Sequence, residues 1–245
     1  MIRKFEEISM NAFPSLQTLV YDGWILRFGN GVTRRANSII PLYDSTLEII
    51  SKLRFCEDLY NEQKLPALFK MTSCVNPSNL DIELEKRGYL VDTEISFQTL
   101  KMISNFNIKN DCEVIINTTV NNNWLQRYMQ FNNYENSQFE TFEKILRQIK
   151  TKKCLLEIVK DKKTIGCGLG VIEGEYIGLF DIVVDLDHRK KGFGEIIVKS
   201  LLNWGRNHGV EKAYLQVLPD NQQAVELYKK LGFKEEYKYW YRIKK

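Results

Sequence analysis

At 245 residues the chain has room for one large core or two small ones. Apolar residues at 44% and charged residues at 27% describe an ordinary globular protein. The formal net charge of +4 is mild and no basic run is interleaved with aromatics, which argues against a nucleic-acid partner but leaves room for attraction of a small polyanion.

The opening residues Met1-Ile2-Arg3-Lys4-Phe5-Glu6-Glu7 turn acidic where a secretory signal would become apolar, and no run of 18 apolar residues follows. A cytoplasmic protein without membrane association is therefore expected. Residues 23–28 and 36–40 read as strands separated by the turn Gly29-Asn30-Gly31. Residues 46–62 place Ile49, Leu53, Cys56 and Tyr60 on one face of a helix, and residues 66–71 read as another strand. Next, Leu84-Glu85-Lys86-Arg87-Gly88-Tyr89 and the alternating residues 93–100 echo Tyr228-Lys229-Lys230-Leu231-Gly232-Phe233 and the strand predicted after it. Residues 101–111 are polar and aperiodic, as a connector between two lobes would be.

After the connector, residues 112–118 predict a strand and residues 121–131 a helix. Ser137-Gln138-Phe139-Glu140 has the spacing of a capping box, opening a helix whose stripe is Phe142, Ile145, Leu146 and Ile149. Residues 153–159 and 164–172 alternate as a hairpin around Lys160-Asp161-Lys162-Lys163, and residues 176–184 supply the next strand. That strand runs through Arg189-Lys190-Lys191-Gly192-Phe193-Gly194 into a helix predicted to end near His208, with Gly209 as its stop. A strand passing through a basic, glycine-bearing turn into a helix leaves unpaired N–H groups and the positive helix end facing one spot, which suits a polyphosphate. It is not a P-loop, because Glu195 and Ile196 stand where Lys and Ser or Thr would follow Gly194; nor does it carry the three spaced glycines of a dinucleotide fingerprint.

Downstream, the strand-like residues 213–217 precede Asn221-x-x-Ala224-x-x-x-Tyr228-x-x-x-Gly232-Phe233, a helical pattern with a glycine placed to end it, and residues 237–243 alternate as a final strand. This order of strand, Arg-x-x-Gly-x-Gly, helix, strand, Asn-x-x-Ala-x-x-x-Tyr helix and Gly-Phe resembles the GNAT superfamily of acyl-CoA-dependent N-acyltransferases, over roughly residues 110–245. The resemblance implies an α/β (α+β) fold with a mixed central sheet flanked by helices. Residues 1–101 are read as a second, reduced GNAT-like lobe, and residues 110–245 as the acetyl-CoA-binding domain. The stretch from Gly23-Trp24 through Thr33-x-Arg35-Ala36-Asn37-Ser38 is also similar to lobes that precede some bacterial members. The phosphate loop occurs once, so one cofactor site per chain is expected.

The resemblance further implies roles. The backbone amides of Lys191, Gly192, Phe193 and Gly194, with Arg189, would hold the diphosphate of acetyl-CoA. Val183 and Val184 would lie along the cofactor, with the amide near Val184 as the oxyanion contact. Asn221 and Ala224 would flank the pantetheine arm, although Asn221 also has the position of a helix cap. Tyr228 would be the acid that protonates the departing thiolate, since a phenol keeps its proton at neutral pH. The base is less legible. Gln216 stands where some relatives carry Glu, and an amide cannot be a base. Asp181, a carboxylate inside an apolar strand, is the first candidate for base or for contact with the substrate ammonium. Glu173 and Glu175 fit a solvated turn better, and His188 fits a surface position beside the loop.

The five cysteines Cys56, Cys74, Cys112, Cys154 and Cys167 lack Cys-x-x-Cys spacing and read as reduced, and with only His188 and His208 no zinc site can be assembled. No metal is expected. The reading is an acetyl-CoA-dependent N-acetyltransferase acting on a primary amine of a small molecule or amino acid-like acceptor, as a monomer or homodimer. Two alternatives stay open: a protein N-terminal or lysine acetyltransferase, and a non-catalytic acyl-CoA-binding module with a protein partner.

Overall fold

The computed structural model describes residues 1–101, 105–108 and 111–244. Of the connector expected at residues 101–111, Met102, Ile103, Ser104, Lys109 and Asn110 lie outside the described residues. The chain forms two compact units, Met1–Ser96 with Tyr237–Lys245, and Phe97–Glu236. The division falls inside two long strands, β5 (Leu90–Lys101) and β11 (Lys234–Ile243). Tyr237–Lys245, assigned to the second lobe in the sequence reading, thus belongs with the first unit.

The first unit opens with a helix the sequence reading did not anticipate, α1 (Ile2–Ala12). No side chain caps its start. It is held instead by partners distant in sequence: Tyr237 Oη donates to Glu6 Oε1 at 2.7 Å, and Lys70 Nζ lies 2.6 Å from Glu6 Oε2. The Arg27 guanidinium donates to the carbonyls of Met10 and Phe13 at the other end of the helix. Strands β1 (Gln17–Tyr21) and β2 (Trp24–Phe28) form an antiparallel hairpin. β3 (Ile39–Pro41), shorter than the predicted 36–40 because residues 34–36 form a 3-10 turn, pairs antiparallel with β2. Then come α2 (Ile49–Glu62), β4 (Leu68–Met71), parallel to β3, and α3 (Leu80–Lys86). Residues 240–243 of β11 pair antiparallel with β4. Trp24, Leu26, Ile39, Leu53, Cys56, Tyr60, Phe69 and Leu84 close the core between sheet and helices.

In the second unit β6 (Glu113–Asn117) leads to α4 (Asn122–Phe131), capped by Asn121, and α5 (Phe139–Gln148). The capping box before α5 uses Glu135 and Gln138 rather than Ser137 and Glu140; Ser137 Oγ donates to the Glu135 carboxylate. β7 (Lys152–Lys160), β8 (Lys163–Glu173) and β9 (Tyr176–Val184) are successive antiparallel neighbours. α6 (Phe193–Asn207) then carries the chain to β10 (Lys212–Val217), parallel to β9, and α7 (Gln222–Lys230) follows. The sheet order is β10-β9-β8-β7-β6.

α6 lies close to this sheet because β8 presents three alternate glycines to it. A Cβ on Gly168 would sit 2.6 Å from Ile197 Cγ2 and 3.1 Å from Leu201 Cδ1; one on Gly166 would sit 3.0 Å from Ile197 Cδ1, and one on Gly170 3.2 Å from Leu201 Cδ2. Ile197, Val198, Leu201 and Leu202 are fully buried there. The seat matters because it sets where the start of α6 points.

The two units repeat one plan. β1-β2-β3-α2-β4-α3-β5 and β7-β8-β9-α6-β10-α7-β11 share the same order, with two antiparallel pairings followed by a parallel one. The ends of α3 and α7 match in detail: Gly88 and Gly232 adopt φ +83° and +93°, and the Tyr89 and Phe233 amides each reach back 3.0 Å, to Leu84 O and Tyr228 O. These are Schellman-type stops, in which glycine relieves the strain of the left-handed residue. The similarity therefore extends beyond the helix-Gly-aromatic-strand passage seen in the sequence.

The glycine seat is testable. Gly168→Ala forces a methyl into Ile197 and should cost about 1–3 kcal/mol of stability by overpacking. Urea denaturation of the variant would measure it, and an unchanged midpoint would show that α6 is not seated by this contact.

Candidate active site

β9 and β10 run side by side from Tyr176 and Lys212, and their shared ladder ends at Leu179 and Leu215, although β9 continues to Val184 and β10 to Val217. On its other edge β9 stays paired with β8, but with a register shift: Leu169 faces Phe180 and Cys167 faces Val183, so Asp181 and Ile182 together oppose Gly168. This is a β-bulge, which bends the strand and strengthens its twist. Asp181 takes φ +52° within it. Asp tolerates that left-handed conformation better than most residues, and an apolar β-branched residue would be strained there. Its side chain is half-buried. The bulge bends the end of β9, and the β9–β10 ladder does not continue beyond Leu179 and Leu215.

The chain leaves β9 through a 3-10 turn at Leu186–His188, fastened by a 2.9 Å bond from the Asp185 amide to Ile165 O. Arg189 Nε donates to Val184 O at 3.0 Å, and Lys191 Nζ to Asp187 O at 2.9 Å, so both cationic stems are folded onto the loop. Lys190 and Gly192 have φ +60° and +85°. Gly192 is the residue before the first turn of α6, and no side chain caps the helix. The Glu195 amide bonds to Gly192 O at 3.0 Å; the amides ahead of it at the start of α6 have no intrahelical acceptor, so they and the helix dipole make a positive spot. A Cβ on Gly192 would meet nothing within 4 Å, so the cradle opens to solvent at that point. Phe193 is buried against the His188 ring, and His188 Nδ1 lies 3.2 Å from Asp185 Oδ2.

Glu195, in the same first turn, does not oppose an anion. Its carboxylate is held by Lys199 at 2.7 Å and Lys230 at 2.7 Å, which keep its pKa below the usual carboxylate range. The Lys230 contact ties α6 to α7, and Gly194 faces Leu227 of α7 at an ordinary 3.7 Å.

α7 begins at Asn221, whose Oδ1 accepts the Ala224 amide at 3.3 Å. Ala224 is half-buried on the same core as Tyr228. Tyr228 is 7% exposed, packs edge-on against Phe233 and has its hydroxyl pKa pushed up to about 12 by burial. The structure thus joins Val183, Val184, Arg189, Lys191, Gly192, Phe193 and Gly194 in one continuous turn from β9 into α6, with Asp181 at the bulge just before it. Asn221, Ala224 and Tyr228 share α7, which Glu195–Lys230 fastens to α6. Glu175 is drawn off to the surface, 2.9 Å from Lys212 Nζ; Gly174-Glu175 forms the turn between β8 and β9, and Glu173 is the last residue of β8. Among the described residues, no group of three or more His, Cys, Asp and Glu is placed to hold a metal ion. The bulge itself carries no sequence signature, although the lone Asp in an apolar strand pointed to it.

A family model described as "Probable histone acetyltransferase Rv0428c C-terminal" matches residues 1–242. The chain belongs to this family of GCN5-related N-acetyltransferases. Over its full length this acyltransferase is 28% identical to an uncharacterised N-acetyltransferase, YobR, of Bacillus subtilis, matching 99% of that protein. A GCN5-related N-acetyltransferase from Kribbella flavida has the same fold at TM-score 0.74 and 12% identity, over 99% of this chain and 95% of that one. A tandem GNAT protein from the clavulanic acid biosynthesis pathway superposes at TM-score 0.64 and 11% identity, over 97% of this chain and 86% of that one. The expected mixed sheet flanked by helices and the expected two-lobe architecture are both present.

The cap on α7 yields a measurable consequence for the acetyltransferase. Asn221→Ala removes the acceptor for the Ala224 amide and should cost about 0.5–2 kcal/mol in thermal or urea unfolding, whereas Asn221→Asp should cost much less. Equal losses in both variants would mean that Asn221 stabilises the chain by something other than its cap.

Proposed function

We propose that the second unit transfers an acetyl group from acetyl-CoA to a primary amine of a small molecule or amino acid-like acceptor, where the β9–β10 ladder ends. The observation that carries this reading is the uncapped start of α6 behind Gly192, placed at the end of the bulged strand. Acetyl-CoA supplies the acetyl group as an activated thioester. The residues fit it: a Cβ at Gly192 would project into open space, and Glu195, the one acid in the first turn of α6, is already neutralised by two lysines.

In this reading the amides of Lys191, Gly192, Phe193 and Gly194 hold the diphosphate, with Arg189 and Lys191 adding charge. The edge of β9 beyond its ladder with β10, at Val183 and Val184, receives the pantetheine arm, and an amide there stabilises the carbonyl oxygen as negative charge develops. Ala224 allows close approach of α7. The Asn221 carbonyl oxygen is engaged in its cap, which leaves the amide NH2 to meet the arm. As the acceptor nitrogen bonds to the carbonyl carbon and the C–S bond breaks, Tyr228 Oη gives its proton to the sulfur. An acceptor arriving as an ammonium would first give one proton to a carboxylate, for which Asp181 at the bulge is the candidate, and the second proton, lost once the amide bond has formed, would restore the one Tyr228 gave to sulfur.

Gln216, lacking a carboxylate, favours a second reading, an acyl-CoA-binding module without turnover. An acceptor panel of amines, amino acids and peptides, followed by thiol release, separates the two: acceptor-dependent release supports transfer, and its absence with intact binding supports the module.

Tyr228→Phe keeps the ring and removes the proton donor, so cofactor affinity should hold while kcat falls by about 10²- to 10⁴-fold. Burial keeps the hydroxyl protonated until pH rises through about 12, so the ratio of wild-type to variant kcat should be flat through the neutral and mildly alkaline range. Near-normal turnover of the variant with saturating acceptor would remove Tyr228 from the chemistry.

A further inference from the structure

The β1–β2 hairpin of the first unit turns on Asp22 and Gly23, with φ +43° and +83°, between the paired Tyr21 and Trp24. Its tip is pressed onto the loop that leads from β3 into α2. A Cβ on Gly23 would lie 2.2 Å from Asp44 O, and the Tyr43 amide donates to Gly23 O at 3.0 Å. The Asp22 carboxylate enters that loop and collects donors of three kinds. The amides of Thr46 and Leu47 donate at 3.0 and 2.9 Å, and the hydroxyls of Thr46 and Ser45 at 2.7 and 2.8 Å. Lys52 Nζ approaches to 2.9 Å from a fully buried side chain, lying 4.1 Å from the Trp24 ring centroid and bonded as well to Asp22 O and Ser45 Oγ. Asp22 itself is 14% exposed.

This loop occupies, between the third strand and the following helix of its unit, the place that residues 185–192 occupy in the other. A second carboxylate closes the start of α2: Glu48 accepts the Ile50 amide at 3.0 Å and the Ser51 amide at 2.8 Å. In the second unit the same position is Gly192 with no side-chain cap. Backbone amides, hydroxyls and an ammonium converging on one carboxylate have the composition of an oxyanion nest.

We propose that the Ser45–Lys52 segment is an oxyanion cradle whose resident ligand is the chain's own Asp22 carboxylate, and which takes a small external carboxylate when Asp22 is removed. Lys52 is the reason the cradle needs an anion. Its ammonium is buried, desolvation lowers its pKa, and Asp22 is the carboxylate that holds it charged. The inference is independent of the acetyl-transfer reading, because it concerns the first unit and is measured without acetyl-CoA.

Asp22→Gly is the decisive variant, since glycine accepts φ +43° and leaves the cradle empty. Its melting temperature should fall by about 5 °C or more. Formate or acetate at tens of millimolar should restore at least half of that loss, saturably, while chloride at equal ionic strength does not; inorganic phosphate tests whether the cradle admits a larger oxyanion. Asp22→Asn fills the space with an amide and should show no such recovery. Should Asp22→Gly not fold in plain buffer, refolding from urea in formate against chloride reads the same effect. An Asp22→Gly variant that melts like wild type, or recovery that is equal in chloride, in Asp22→Asn or in the wild type, would overturn the proposal.

Discussion

Beyond Leu179 and Leu215 two parallel strands stop sharing hydrogen bonds, and the geometry of the candidate site depends on that break. A parallel ladder that ran its full length would leave no room between β9 and β10. The bulge at Asp181 and Ile182 bends β9, while the strand's other edge stays fastened to β8. The direction of α6 is then set by contact. Gly166, Gly168 and Gly170 let Ile197 and Leu201 settle against β8, which fixes the helix start beside the strand end. The ladder's end, the glycine seat and the uncapped helix start all lie along the passage from β8 and β9 into α6.

The first unit shows what the same plan becomes when its polar groups are satisfied from within. The start of α2 is capped by Glu48, and its approach loop is filled by Asp22. Next to its parallel strands, the Asn76 amide bonds to Pro41 O at 3.1 Å. Two copies of one chain order thus differ in a few carboxylates and amides rather than in topology. The difference is one of electrostatics: an anion already present in a cradle excludes another.

How much of this could be read from the residues varied with the range of the interaction. Local patterns were legible. Arg189-x-x-Gly192-x-Gly194 marked the strand-to-helix turn, Gly232 and Gly209 marked helix ends, and the stripe Phe142, Ile145, Leu146 marked α5. Where two local patterns overlapped, the choice failed: Ser137-x-x-Glu140 and Glu135-x-x-Gln138 have the same spacing, and the pair two residues closer to the preceding loop forms the box. Interactions between residues far apart in sequence were not legible. α1 lacks a capping signal and is stabilised by Tyr237, Lys70 and Arg27, so nothing near residues 2–12 announces it. Asp22 looks like an ordinary turn residue until the fold carries Thr46, Leu47 and Lys52 to it. The bulge at Asp181 is similar: an acid in an apolar strand signals that something is unusual, but the left-handed backbone follows only from how β8 and β9 pair.

In the proposed function, one of two similar strand-to-helix junctions is open to an acyl-CoA diphosphate and the other is closed. Calorimetric titration of coenzyme A into the wild type and into Gly192→Glu tests it most directly. One site per chain in the wild type, and none in a folded Gly192→Glu variant, is the predicted result. Two sites per chain, or unchanged affinity in the variant, would contradict it.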